Sequence, residues 1–270
     1  MDHLKNQKSI IPESILALEK QLKSQKYNGN LIENLDQISY VGGIDISYPV
    51  ENPESNPSVV VYSILNLNSM KIVYSKHQET EPGQQLPYIA GFLGAKEASM
   101  MSSLINQVHS QKGEFDDFSL EWLPQVILID GNGLLHSRRF GSACYIHKLC
   151  NIPTIGVAKN LLHVEGITPK PTDLSFKEKC RTELSNFGDH FIYKDEKQQL
   201  EIVAVTKSSK QKGPCTKPIF ISLGGGVVGL KLAVEIVLKT CISKIPQPIR
   251  IADLQGRNWL KSKELGNFEN

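Results

Sequence analysis

The sequence is poor in the features that would assign it to several classes. Nowhere do 18 apolar residues run together, which argues against a membrane-spanning helix. The opening Met1-Asp2-His3-Leu4-Lys5 has no apolar stretch of the kind a secretory leader needs, so an intracellular location, cytoplasm or nucleus, is expected. The cysteines are five, an odd number at irregular spacings, which reads as reduced thiols rather than a disulfide framework. Charge of neither sign is in surplus: 30 basic against 28 acidic residues leave +2, so bulk charge announces no polyanion partner. Repeats and heptads are also lacking. What is present is a 40% apolar share over 270 residues, enough for a sizeable core. No linker stands out, and a single domain over 1–270 is expected. It would carry a polar N-terminal helix within about residues 1–30 and a frayed polar tail from Arg257.

Periodicity divides the chain into two styles. Ile15, Leu18 and Leu22 fall at helical spacing behind Pro12. Strand-like runs follow at Ile38–Tyr48, Val59–Leu67 and Lys71–Glu79, the last two joined by the turn-prone Asn66-Leu67-Asn68-Ser69, so an antiparallel meander is expected. A long helix is expected from about Tyr88 to Ser110. Strand then alternates with helix. Val126–Ile129 and Thr154–Ala158 are short apolar runs suited to strands buried on both faces, with a helix over Phe140–Leu149 between them. Further strands are expected at Ile202–Thr206 and Pro218–Leu223, an exposed basic loop at Lys207–Pro214, and a helix at about Leu230–Ile242. A mixed α/β sheet, meander first and parallel strands after, with helices on both faces, fits this order.

Three acids interrupt apolar patterns. Asp45 lies between Ile44 and Ile46 in the first strand and shares a face with the small residues Gly43 and Ser47. Asp130 ends the Val126–Ile129 run just before Gly131, at a strand end where α/β sheets bind ligands. Glu97 falls in the stripe of Ile89, Leu93, Met101, Leu104 and Val108, where a carboxylate must be paired, protonated or bound to a cation. Lys159 ends the next strand as Asp130 ends its own. Brought together, these groups would form a hard-oxygen cage for Mg²⁺ or Mn²⁺ beside a positive charge, which suits phosphodiester hydrolysis. The plainer reading has the aspartates satisfying turn amides and Glu97 paired with Lys159.

Several stretches resemble the endonuclease V family in order along the chain. They are Val41-Gly42-Gly43-Ile44-Asp45-Ile46-Ser47-Tyr48, Pro87-Tyr88-Ile89-Ala90-Gly91-Phe92-Leu93 with Lys96-Glu97, and Ile129-Asp130-Gly131-Asn132-Gly133-Leu134-Leu135-His136 with Arg138 to Cys144. Pro153 to Lys159 and Ile245 to Asp253 complete the series. The resemblance implies an RNase H-like fold and a metal-dependent endonuclease that recognises inosine and cuts the second phosphodiester bond on its 3′ side. It implies Mg²⁺ at Asp45, Glu97 and Asp130, with Mn²⁺ as substitute, and Lys159 at the scissile phosphate. Tyr88 falls in the family's wedge motif, where a ring fills the gap left by an extruded base. Gly131 and Gly133 look like the pocket floor, with backbone amides approaching the hypoxanthine edge. His136 and Arg138 match positions along the nucleic-acid path, and Arg139 matches only some members. Lys207, Lys210, Lys212 and Lys217 are candidate phosphate contacts.

Asn132 is like the animal branch, which implies inosine-containing single-stranded RNA, tRNA included, as substrate, with deoxyinosine DNA as the alternative. A monomer is expected. One departure is Gly225, where most of the family is expected to carry a histidine near the metal, and its loss would suggest a binder of inosine RNA that cuts poorly. Two rival motifs are weaker. Gly224, Gly226 and Gly229 fit G-x-G-x-x-G but lack a following parallel strand that ends in an acid. Cys144, His147 and Cys150 fan over roughly 120° of a helix, too wide for one tetrahedral zinc ion.

Overall fold

A computed structural model of the chain describes residues 13–50, 56–80, 92–110 and 118–266. Its strands are β1 (Tyr40–Ser47), β2 (Val59–Asn66), β3 (Lys71–Glu79), β4 (Val126–Asp130), β5 (Thr154–Ala158), β6 (His190–Asp195), β7 (Leu200–Thr206) and β8 (Ile219–Gly225). They form one sheet in the order β3-β2-β1-β4-β5-β8-β7-β6. The meander is present: β1, β2 and β3 pair antiparallel. Its β2–β3 turn is tied by the Asn66 side-chain oxygen, which accepts from the Asn68 and Ser69 amides at 3.0 and 2.9 Å. Parallel pairing is confined to β1–β4 and β4–β5. Beyond β5 the sheet returns to antiparallel pairing through β8, β7 and β6.

The helices are α1 (Glu13–Ser24), α2 (Leu93–Ser110), α3 (Ser142–Cys150), α4 (Leu174–Glu183), α5 (Leu230–Lys239) and α6 (Gln247–Gly266). Strand alternation sorts them to two faces. Ile44 and Ile46 of β1 and Ile127 and Ile129 of β4 pack in one core with α1, α2 and α3. Val41, Val126 and Leu128 point the other way, into a core with α5 and the start of α6. Burial on both faces explains why β4 and β5 read as continuous apolar runs. No helix among the described residues is long and apolar enough to cross a membrane.

The expectations failed in four places. The tail expected to fray from Arg257 is helical to Gly266, because α6 lays Pro248, Ile249, Ala252 and Gly256 against the sheet while Trp259 and Leu260 pack near Val59 and Val61. Leu18 is exposed, and Glu19 takes the buried place in α1. Helix α4 and strand β6 stand where the sequence carries no clear periodic signal. Only Phe176 and Cys180 of α4 are buried, and the helix starts at Asp173, whose side chain accepts from the Ser175 amide at 2.9 Å. Lys207 and Ser208, read as exposed, are 2% and 1% exposed. The part of the expected second helix that precedes Gly91 lies outside the described residues.

Candidate active site

The first question is what lies over Asp45. Its face-mates Gly43 and Ser47 are not beside open space, because α6 covers them. A Cβ on Gly43 would strike the backbone of Pro248 and Ile249, and one on Gly256 would strike the Ser47 side chain. Four residues of β1 therefore run alongside eight of α6, about 13 Å of strand against about 12 Å of helix. Asp253 falls between those two crossings, and its charge is felt at Asp45. Strand register supplies the second neighbour. Ile44 of β1 pairs with Ile129 of β4, so Asp45 and Asp130 follow side by side on adjacent parallel strands.

Lys159, one residue past the end of β5, meets Asp130 with Nζ–Oδ2 2.6 Å. Glu97 enters from α2. It is 8% exposed, and its Oε1 accepts a long hydrogen bond of 3.2 Å from the Tyr48 hydroxyl. Tyr48 in turn lies under Lys96, whose Nζ is 5.3 Å from the ring centroid.

These carboxyls are short of positive charge. Burial pushes Asp45 up to about 8; the negative charge of Asp130 adds to this, Lys159 opposes it, and Asp253 pushes further the same way. Burial likewise pushes Glu97 up to about 7, against the Tyr48 hydrogen bond and with the charge of Asp130. Lys159 is held above its ordinary value, with burial opposed by Asp130 first and then by Asp45 and Asp253.

Among the described residues no three Asp, Glu, His or Cys side chains are gathered so as to hold a metal ion where they stand. The chemistry of the donors nonetheless suits a hard divalent cation. All are carboxylate oxygens, and two have their ionised forms disfavoured for want of a countercharge that such an ion brings.

The other expected residues divide. Gly131 and Gly133 lie next to Asp130, but their amides are already used. Gly131 donates to the Val157 carbonyl at 3.4 Å, and Gly133 donates to Ser222 Oγ at 2.8 Å. Between them the side-chain oxygen of Asn132 is buried without a hydrogen-bond partner among the described residues. His136 Nδ1 accepts from the Arg138 amide at 3.2 Å. Arg138 is drawn away from solvent: its Nε lies 2.9 Å from Glu19 Oε2 and its guanidinium 3.6 Å from the centre of the Phe92 ring. A phosphate contact at Arg138 has to compete with that buried carboxylate. Arg139 pairs with Asp195 at 2.8 Å. Tyr88 lies outside the described residues.

Gly225 is not by the acids. It pairs with Thr154 at the start of β5, whereas Lys159 follows Ala158 at its other end, about 13 Å away along the strand. Its φ is +150°, and a Cβ there would strike the ring of His147. Glycine at 225 is thus required by the local packing and takes nothing from the acidic site. The rival motifs have other tasks. The segment after α5 is helix α6, not the parallel strand that dinucleotide binding requires. His147 Nδ1 lies 2.7 Å from the Ile152 carbonyl, and its ring packs on Tyr27.

Asp253 is the residue that sequence reasoning passed over. It closes the Ile245–Asp253 match, but a short segment before a tail expected to fray gives no reason to turn its side chain inward.

Comparison with known proteins gives a concordant picture. The family model described as Endonuclease V matches residues 19–254. Human endonuclease V is 31% identical over 226 residues, which cover 84% of this chain and 73% of that one. The Protochlamydia amoebophila endonuclease V is 34% identical over 257 residues, covering 93% and 94%. The match to the mouse protein, 31% identical over 82% of this chain, spans 60% of that relative's length. Among solved structures, human endonuclease V superposes with a TM-score of 0.78 at 27% identity, covering 93% of this chain and 99% of that one. A Ciona intestinalis endonuclease V, in complex with a 23mer DNA containing an inosine followed by a ribo-adenosine, superposes at 0.77 with 27% identity, covering 94% and 99%.

Proposed function

Since the chain belongs to the endonuclease V family, we propose that it is a Mg²⁺-dependent endonuclease that recognises inosine in single-stranded RNA and hydrolyses the second phosphodiester bond on its 3′ side. The observation that carries this reading is the placement of Asp45 and Asp130 side by side on adjacent parallel strands, with Lys159 paired to Asp130 and the charge of Asp130 felt at Glu97. Asp45, Glu97 and Asp130 would hold the ion, with Asp253 within its field. When bound, the ion polarises a phosphoryl oxygen and lowers the pKa of a water at neutral pH. Lys159 offsets charge growing on the phosphate, and its pairing with Asp130 keeps it at the site until substrate arrives.

Base recognition falls to Asn132. The amides of Gly131 and Gly133 are spent inside the protein, whereas the Asn132 oxygen has no hydrogen-bond partner among the described residues; it is buried, so a base reaches it only once the loop shifts on binding. Hypoxanthine carries a donor at N1 where adenine carries an acceptor, so an acceptor here favours inosine over adenosine. Asn132→Ala is expected to narrow that preference by about tenfold or more, read as the ratio of cleavage rates on matched strands. The ribo-adenosine that follows inosine in the Ciona complex supports a ribose-containing strand. A deoxyinosine-directed repair nuclease is the second reading, on the same ligand's DNA backbone.

The test is cleavage of a labelled single-stranded RNA carrying one inosine, with Mg²⁺ or EDTA, beside its deoxy equivalent and an Asp45→Ala control. Mg²⁺-dependent cutting of the RNA that is lost in the control is expected. Faster cutting of the deoxy strand would transfer the reading to DNA, and binding without cutting of either strand would overturn it.

A further inference from the structure

A second charged feature lies on the same edge of the sheet as the acids and has opposite sign. A cavity of about 610 Å³ opens between the β7–β8 loop and the segment that joins α5 to α6, and five lysines line it: Lys207, Lys210, Lys212, Lys217 and Lys244. No acid lines it, and among the described residues none of the five pairs with a carboxylate. In a protein of net charge +2 this is a strong local excess.

The cavity is built rather than incidental. Lys207 is buried and donates to the Ser185 carbonyl at 2.5 Å and to the Gly213 carbonyl, so it ties the loop back on itself. Ser208 Oγ donates to the Lys244 carbonyl at 2.5 Å, which joins the two walls. The Cys215 amide donates to the Leu184 carbonyl at 3.0 Å. Lys207 is therefore the fastener, while Lys210, Lys212 and Lys217 are exposed and Lys244 is half-buried.

Register places the cavity relative to the acids. Ala158 of β5 pairs with Phe220 of β8, so Lys159 leaves its strand where Lys217 approaches the neighbouring one. The other wall leads directly into α6, which carries Asp253. Electrostatics agree: Lys244 is held below its ordinary value by burial first, Cys215 opposes this, and the charges of Lys217 and Lys159 add to it.

We propose that this lysine-lined cavity is a phosphate-binding subsite that holds the backbone of the nucleic-acid strand beyond the bond being cut. The proposal rests on the nuclease reading for the identity of the strand. Lysines bind phosphates as point charges, and contacts to phosphate carry no sequence information. The subsite thus adds affinity for strand length and not for inosine. It also accounts for a basic cluster standing apart from the residues that recognise the base.

The test uses the full chain and an inosine-free, labelled single-stranded oligouridylate in EDTA, with affinity measured from about 50 to about 200 mM salt. Replacing Lys212, Lys217 and Lys244 together by alanine is expected to reduce the slope of log K against log salt by about 2, at roughly 0.7 per phosphate contact on a single strand. The control removes the same charge elsewhere, as Lys20→Ala with Lys71→Ala and Lys231→Ala, and is expected to leave most of the slope. An unchanged slope in the first variant, or an equal loss in the control, overturns the subsite, as it would if the cavity served an acidic protein partner instead. Should the triple variant melt early, Lys212→Glu at the exposed loop tip carries the test: weaker binding with an unchanged Tm is expected, and unchanged binding refutes it. The nuclease reading is scored separately by cutting at inosine. Slope loss without inosine cutting would refute that reading while sparing the cavity.

Discussion

Two glutamates stand on apolar stripes of two helices on the same face of the sheet, and the protein treats them in opposite ways. Glu19 of α1 is 3% exposed and receives Lys23 at 2.7 Å, Arg138 at 2.9 Å and the Tyr145 hydroxyl at 2.9 Å. Those hydrogen bonds outweigh burial and hold its carboxyl below the usual range. Glu97 of α2 is nearly as buried, receives one long hydrogen bond, and is pushed up to about 7. Glu19 is a latch: through Arg138 and Tyr145 it fixes the loop that follows Asp130 and the helix that follows the loop. Glu97 is left without such compensation. Burial of a carboxylate does not by itself mark function; the absence of compensation does.

The largest effect that tests this contrast is on folding. Glu19→Gln leaves Arg138 and Lys23 facing a neutral amide and is expected to lower stability by about 2–3 kcal/mol. That is the low side for a broken buried pair, because side-chain exposures of 26% and 41% let both cations reach water. Glu97→Gln is expected to leave metal-free stability unchanged or raised at pH 8. Urea denaturation of both variants in EDTA decides, and equal losses would erase the distinction.

Activity should invert the order. Glu97→Gln is expected to cut Mg²⁺-dependent cleavage by more than about 100-fold, beyond the loss typical of groups that only orient a ligand. Glu19→Gln should act on cleavage only as far as it loosens the loop, and more weakly at low temperature. Initial rates under saturating Mg²⁺ would show it.

pH separates the two again. The raised carboxyls, Asp45 at about 8 and Glu97 at about 7, keep protons in the folded state that the unfolded chain has released, so their contribution to stability is full at low pH and is lost as pH rises from about 4 to about 8. Glu19, with its value lowered, contributes stability that is lost as pH falls through its folded value. The Tm of metal-free protein should therefore drop on going from pH 5 to pH 8, and Glu97→Gln should flatten that drop. If the acids hold Mg²⁺ as proposed, adding it at pH 8 should raise the Tm, because an ion bound to the folded state favours their ionised form. No effect of Mg²⁺ on Tm at any pH would remove the case for a cation at these residues.

The same contrast shows what was legible in the sequence. Asp45, Asp130 and Lys159 announced themselves as polar ends or interruptions of strands whose period is short and strict, and β1, β4 and β5 lie within a residue or two of where the pattern put them. A glutamate on a helical stripe is a weaker signal. The spacing that singles out Glu97, four residues from Leu93, also describes Glu19, four from Ile15, and the stripe alone does not tell the two apart. Part of the compensation is local, since Lys23 stands four residues on from Glu19 whereas Met101 stands four on from Glu97; the rest comes from residues more than 100 positions away, Arg138 and Tyr145, which only the fold brings near. Asp253 was hidden for a related reason: the start of α6 packs through Pro248, Ile249, Ala252 and Gly256, too thin an apolar stripe to be read as a helix. Gly225 misled because its neighbours in sequence resemble a metal-site motif while antiparallel pairing puts it at the wrong end of β5.

The smallest predicted effect concerns the one hydrogen bond that Glu97 does accept. The Tyr48 hydroxyl, 3.2 Å from Oε1, favours the ionised carboxylate and opposes burial. Tyr48→Phe keeps the ring under Lys96 but removes the donor, at a cost of about 0.5–1.5 kcal/mol in the ionised state of Glu97. The carboxyl should then hold its proton to higher pH, so the acidic limb of the pH–rate profile moves up by less than about one unit while the rate on the plateau changes little. A structural role for Tyr48 alone would lower the Tm and leave the limb in place. Should the limb stay fixed in Tyr48→Phe yet move in Glu19→Gln, then Glu19 and not Glu97 carries the titration, and the roles proposed for the two glutamates would have to be exchanged.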